Sequence, residues 1–139
     1  MGKKQLKRTR IVDDIEMIWF YASHFMEYET LGEWNDMGTI RVYDKLDKVE
    51  QLAVGIHELV EMVLLHLRGI TAEEVTKWDT EDTDGKYDPK MYDKSPEYKM
   101  AHTFAELVER SIIEAADRDW DTYSKKCDKM KIKWKKPTL

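Results

Sequence analysis

The stretch that decides the fold is VEQLAVGIHELVEMVLLHLR, which occupies residues 49–68. Apolar residues recur through it at the three- and four-residue spacings of a helix. Asp47 is a suitable N-cap before this stretch and Gly69 a suitable stop after it. The sequence therefore predicts one long helix from about Asp47 to Arg68.

The same helix carries an HExxE motif, made of His57, Glu58 and Glu61. Successive helix positions turn by roughly 100°, so His57 and Glu61 lie about 40° apart, one turn along the same face. Glu58 is close enough in angle to share a pocket with them. Ionisable groups among apolar neighbours need a partner, a metal or a shifted pKa. We therefore look for chemistry here first.

Strands precede this helix and further helices follow it. The turn signal Asn35-Asp36-Met37-Gly38 lies between two β-forming segments and predicts a hairpin. Strands first and helices afterwards indicate an α+β fold, in which a small antiparallel sheet packs against two long helices and shorter ones. The other predicted elements are strands at 15–21, 28–34 and 39–43 and helices at 71–78, 96–116 and 119–129.

The second long helix repeats the pattern of the first. His102, Glu106 and Glu109 fall within roughly 60° of arc. If the two helices pack together, these side chains face the HExxE motif, and two imidazoles with several carboxylates suit zinc, with manganese and iron as alternatives. The predicted metal ligands are His57, Glu61, His102 and Glu109. Glu109 is either the fourth ligand or a residue that hydrogen-bonds to one of the other ligands.

A buried His–Glu hydrogen-bond network without a metal is the competing interpretation of these residues. His66 lies about 180° from His57 on the first helix, so we expect it to stay outside the site. The large aromatic side chains are predicted to belong to the core rather than to a base-stacking platform. These side chains are Trp19, Phe20, Trp34, Trp78, Phe104 and Trp120.

Composition narrows the class of protein. Charged residues make up 37% of the chain, and no apolar run is long enough to span a bilayer, so we expect a cytoplasmic protein without a membrane partner. One cysteine, Cys127, excludes an internal disulfide and fits a reducing compartment. The predicted organisation is a basic tail at 1–9, a single domain at 10–130 and a lysine-rich tail at 131–139.

Charge is distributed unevenly along the chain. The net charge is −5, but residues 1–10 carry +5 and residues 125–139 carry +6, which leaves −16 on residues 11–124. This acidic body argues against nucleic acid as the main partner. The basic ends can pair with the body, with a neighbouring subunit or with an external polyanion, so a homo-oligomer is one expectation. We expect the partner to be a substrate or a host protein, and the charge distribution does not indicate which.

Several short motifs between Ile40 and Tyr123, about three fifths of the chain, resemble an uncharacterised family found mainly in phage and prophage genomes. That resemblance implies a phage-encoded protein and gives His102 and Glu109 more weight than Glu106. The pieces that carry it are Ile56 to Glu61, Arg68 to Thr71, Glu74-Val75, Asp79, His102, Phe104-Ala105, Glu109-Arg110, Asp119-Trp120 and Tyr123.

A weaker similarity is to zincin metallopeptidases, in which an HExxH helix supplies ligands and a general base. It implies a metal-dependent hydrolase with Glu58 as the catalytic base, and with His102 in place of the imidazole that Glu61 replaces. The first alternative is a non-enzymatic phage protein that binds a host factor. The second is a nucleotide pyrophosphohydrolase, because Glu58 with Glu61 and Glu114 with Asp117 are similar to the acidic pairs of that all-α family.

Overall fold

The computed structural model describes residues 15–24, 26, 30–80 and 94–132. Within these ranges three strands are followed by four helices, so the predicted α+β class is confirmed. No helix in these ranges is both long and apolar enough to cross a bilayer. The elements are β1 (Trp19–Ser23), β2 (Gly32–Trp34), β3 (Thr39–Tyr43), α1 (Lys48–His66), α2 (Ala72–Thr80), α3 (Pro96–Ala115) and α4 (Trp120–Ile132).

The sheet has the strand order β1-β3-β2 and is mixed rather than wholly antiparallel. The predicted hairpin is present, since β2 and β3 pair antiparallel. Asn35 closes its turn by accepting from the backbone N–H groups of Met37 and Thr39, and Gly38 adopts a φ of 90° that favours glycine. β1 instead pairs with β3 in parallel, which the period of its side chains could not have revealed.

Helix α1 begins and ends close to where its sequence predicts. Asp47 caps it by accepting from the Glu50 backbone N–H at 3.0 Å, and the Glu50 side chain accepts from the Asp47 backbone, which completes a capping box. After the helix, Gly69 has a φ of 71° and its N–H donates to His66. α1 packs against β2 and β3 on one side and α3 on the other, which makes it the central element.

Three of the six aromatic side chains predicted for the core are largely exposed, so that part of the prediction was wrong. Trp19 and Phe20 lie on β1, an edge strand, and are 59% and 50% exposed; Phe104 on α3 is 53% exposed. Trp34, by contrast, is 8% exposed and belongs to the core cluster beneath α1.

Of the two predicted tails, the described ranges include only the first two residues of the C-terminal one. Residues 1–9 and 133–139 lie outside the described ranges, and so do residues 81–93 between α2 and α3. Lys131 and Ile132, with which we expected the C-terminal tail to begin, form the end of α4.

Candidate metal centre

Two imidazoles and one carboxylate converge where α1 crosses α3. His57 and Glu61 lie one turn apart on α1, and His102 faces them from α3; each offers one ligand atom, all within 4.8 Å of one another. His57 Nε2 and His102 Nδ1 lie 3.4 and 3.2 Å from Oε2 of Glu61. Ligands about 2.1 Å from a tetrahedral zinc lie roughly 3.4 Å apart, so both distances suit that geometry.

Glu109 approaches His57 from the opposite side of the ring. Its Oε1 lies 2.6 Å from His57 Nδ1, and its Oε2 accepts from the Tyr123 hydroxyl at 2.5 Å. The carboxylate therefore joins α3 to α1 and α4. A carboxylate on the outer nitrogen of a metal-binding imidazole fixes the orientation of the ring and raises its basicity. The structure brings Glu109 to the site, but at the nitrogen of His57 that points away from Glu61.

Trp34 holds the remaining oxygen of Glu61. Its indole N–H donates to Oε1 of Glu61 at 3.2 Å, from the sheet side of α1. The sequence predicts Trp34 as a core residue and predicts no role for it at the site. The indole N–H of Trp34 could have indicated this contact, because a buried tryptophan usually needs a hydrogen-bond acceptor and the neighbouring helix carries acids.

Glu61 is the ionised anchor of the cluster. Burial alone raises its pKa, but hydrogen bonds from His102 and His57 outweigh burial and lower the pKa of Glu61 to about 2. For His57 burial disfavours the charged form, yet the hydrogen bonds to Glu109 and Glu61 prevail and raise its pKa well above the usual value. In the metal-free protein, His57 is therefore a cation between two carboxylates.

Glu58 has a different environment from Glu61 although only three residues separate them. It is 8% exposed, and its Oε2 lies 3.6 Å from His57 Nε2, too far for a hydrogen bond. Burial and the neighbouring charge of Glu61 raise the pKa of Glu58 well above the usual range. Two carboxylates with opposite pKa shifts on one helix turn are typical of sites that divide ligand and proton-transfer roles.

A cleft of about 430 Å³ opens onto this cluster between α1, α3 and α4. Asp79 follows the predicted helix 71–78 and lies in the last turn of α2. It is 6% exposed and accepts from the Tyr98 hydroxyl at 2.5 Å in the cleft wall. Gly32 lines the same wall, where a Cβ would lie 2.8 Å from Glu58 Cγ. The backbone of β2 can therefore approach α1 this closely only because residue 32 is glycine.

Other candidate residues lie elsewhere. His66 stays outside the cluster as predicted, with its Nε2 2.8 Å from Asp36 Oδ1. Glu106 is exposed at the rim of the cleft. Glu114 is exposed and pairs with Arg110 at 3.0 Å, and Asp117 is exposed beyond the end of α3. Glu114 and Asp117 therefore do not form, beside Glu58 and Glu61, the second acidic pair that a pyrophosphohydrolase would need.

No protein-family model matches this chain, and no curated protein or solved structure does either. The site must accordingly be interpreted from its own geometry. That geometry establishes a His/Glu/His group able to hold a metal ion, with a buried acid beside it and a cleft above it.

Proposed function

We propose that this protein binds a divalent metal, zinc before manganese or iron, and hydrolyses a substrate in the cleft above it. His57 Nε2, Glu61 Oε2 and His102 Nδ1 are the proposed ligands. The observation that carries the proposal is the spacing of 3.4 and 3.2 Å between the imidazole nitrogens and the shared carboxylate oxygen. Three protein ligands leave a fourth position for water or substrate, as in catalytic zinc sites.

Glu109 then acts behind the ligands rather than as one of them. Its hydrogen bond to His57 Nδ1 leaves Nε2 to face the metal, and Tyr123 holds the other carboxylate oxygen. This arrangement is the carboxylate–histidine pairing that tunes many metal sites. Of the two roles expected for Glu109, its contacts favour this one.

Glu58 is the proposed general base. A divalent cation held by the proposed ligands would offset the negative charge of Glu61 and favour the ionised form of Glu58. A metal held by these ligands would polarise a water molecule, and Glu58 would accept the proton that this water gives up as its oxygen adds to the electrophilic atom of the substrate. Burial and the charge of Glu61 raise the pKa of Glu58, and a raised pKa suits a carboxylate that must accept a proton and later return it.

The rival function is that of a non-enzymatic protein that binds a host factor, in keeping with the resemblance to phage proteins. One observation favours it: the ion pairs and hydrogen bonds of His57, Glu61 and Glu109 form a complete network without a metal. In that case the polar cluster stabilises the packing of α1 on α3.

Metal analysis of the full chain, purified without chelator and then loaded with zinc, separates the two functions. We expect a stoichiometric amount of metal in the wild type and its loss in a His57→Ala, His102→Ala double variant. His24→Ala is the matched control, because His24 is exposed and pairs with Asp44 away from the cleft. If the folded wild type takes up no metal, the catalytic proposal is refuted and the network interpretation stands.

A further inference from the structure

Helix α1 is inverted relative to an ordinary surface helix. Between residues 49 and 67 every ionisable side chain is buried, whereas the side chains that remain accessible are apolar, Gln51 excepted. Soluble helices normally turn apolar residues toward the core and charges toward water. The buried ionisable residues are Glu50, His57, Glu58, Glu61 and His66. The apolar residues on the accessible side are Leu52, Ile56, Leu59, Val60, Val63 and Leu67. This side of α1 therefore has the composition of a surface that another molecule covers.

Helix α3 carries a second accessible apolar stripe. Met100, Phe104 and Leu107 are 49%, 53% and 61% exposed, and they recur at spacings of four and three residues. That spacing places them on one side of the helix, and half-buried Val108 lies between them and the buried side. Alternating steps of four and three residues are also the spacing by which helices pack against other helices. The stripe is thus suited to contact with helices.

The two stripes lie on the same side of the helix pair, opposite the cleft. α1 and α3 run antiparallel, because His57 contacts Glu109 while the later Glu61 contacts the earlier His102. Around each helix, the accessible apolar residues lie about 150° from the residues that line the cleft. The two stripes therefore form one continuous surface. We call it the apolar face, and it consists of the six α1 residues named above with Met100, Phe104, Leu107 and Val108 of α3.

The apolar face has the size of a protein–protein interface. Its five most accessible side chains are 42–64% exposed, and its half-buried ones add to their area. At about 100 Å² for each half-exposed large side chain, the face offers roughly 700 Å² of apolar surface. The largest apolar patch on a typical soluble monomer is about 300–600 Å². Two copies packed through this face would bury about 1,400 Å², which is enough for a specific interface.

Charge favours a second copy of this chain as the molecule that covers the face. Residues 11–124 carry −16, so most of the surface repels another copy, and it also repels anionic lipids and nucleic acids. The apolar face contains no charged residue, so two acidic copies can meet there without placing like charges in contact. The longer stretches outside the described ranges offer little area to cover it, since residues 1–14, 81–93 and 133–139 contain at most four apolar residues each.

We propose that this protein is a symmetric dimer in which the apolar faces of two copies pack against each other. A two-fold axis brings the same surface of both copies into contact, which an uncharged face permits. Four helices, α1 and α3 from each copy, then form the interface, and both clefts open on its outer sides. The inference is independent of the proposed function, because the proposed metal ligands lie on the opposite side of the helix pair.

Sedimentation equilibrium of the full chain tests this proposal. At about 50 μM, above the dissociation constants usual for interfaces of this size, the wild type should have twice its monomer mass of 16.6 kDa, with or without zinc. The double variant Leu52→Glu, Leu107→Glu should be a monomer, with the dissociation constant raised at least about 100-fold, because it places like charges in the contact. Met37→Glu is the matched control, since Met37 is 80% exposed on the hairpin turn outside the face and its replacement should leave the dimer intact.

A measurement on the wild type decides the question even if the double variant does not fold. In methyl NMR of methionine-labelled protein with a soluble paramagnetic agent, the Met100 signal should be protected like that of buried Met62, while the Met37 signal broadens. A wild-type monomer at 50 μM, a dimer that persists in the folded double variant, or a Met100 signal broadened like that of Met37 would each overturn the proposal. A wild-type monomer that binds phosphatidylcholine vesicles would overturn it too, and would assign the face to a lipid surface.

Discussion

Replacing Glu61 with glutamine tests whether one buried carboxylate organises the cluster. Glu61 is 4% exposed and accepts from Trp34 at 3.2 Å and from His102 at 3.2 Å. Glutamine keeps the shape but removes the charge and turns an amide N–H₂ toward one of these donors. A pKa of about 2, against an ordinary value of 4.5, corresponds to about 3 kcal/mol of stability at neutral pH. Breaking a buried ion pair typically costs about 3–5 kcal/mol of folding stability, and this range agrees with the value worked from the pKa.

Urea unfolding of the metal-free Glu61→Gln variant at pH 7 should therefore show a loss of about 3 kcal/mol in the free energy of unfolding. Because the pKa of Glu61 is lowered by folding, its contribution is complete above about pH 4.5 and is lost as the pH falls toward 2. The difference between wild type and variant should shrink over that range. Glu73→Gln, on an exposed residue of α2, is the control and should change almost nothing. A loss below about 1 kcal/mol for Glu61→Gln would refute the reasoning.

Three further outcomes are expected. Trp34→Phe removes the hydrogen bond that orients Glu61 and should weaken zinc binding about 10- to 100-fold in competition with a chromophoric chelator. Gly32→Ala should destabilise the fold by about 1–3 kcal/mol in urea unfolding, because the added Cβ would lie 2.5 Å from Val54 Cγ1 and 2.8 Å from Glu58 Cγ. The melting temperature of the metal-free protein should fall as the pH rises above about 6.5, since folding raises the pKa of His57 and that stabilisation is lost as the pH rises through the higher value.

Matched controls limit each of these interpretations. Trp78→Phe alters a tryptophan that stacks on Tyr98 and should leave zinc affinity unchanged. Gly55→Ala places a Cβ 3.3 Å from the half-exposed ring of Phe20 and should be neutral or stabilising, because alanine favours a helix. Zinc requires deprotonated imidazoles, so the loaded protein should not lose stability between pH 7 and 8. A zinc affinity insensitive to Trp34→Phe, an undisturbed Gly32→Ala fold or a pH-independent melting temperature would each contradict the corresponding expectation.

Local signals predicted the helices and the hairpin well. The Asp47 capping box and the glycine after α1 act within a few residues, so the sequence alone locates both ends of that helix. The parallel pairing of β1 with β3 depends on a distant partner, and no local pattern specifies it. The exposure of Trp19 follows from the same cause, because the edge position of a strand is set by the whole sheet.

The candidate site was predictable to the extent that helix periodicity controls it. The spacing of His57 and Glu61 on α1, and of His102 on α3, placed all three in one cluster once the two helices were assumed to pack. The side of the ring that Glu109 occupies could not be predicted, because it depends on the rotation of α3 about its own axis. The same holds for Trp34, whose contact with Glu61 spans 27 residues.

The two helices that carry the proposed ligand atoms are separated in the chain, and His102 lies 41 positions after Glu61. A denatured polypeptide does not hold these atoms together, so the ion would associate with the native conformation almost exclusively. Zinc at 100 times its dissociation constant would then add about 2.7 kcal/mol to the free energy of unfolding. Availability of the ion would thus govern how long the molecule survives proteases, and chelation would shorten its lifetime before any question of turnover arises.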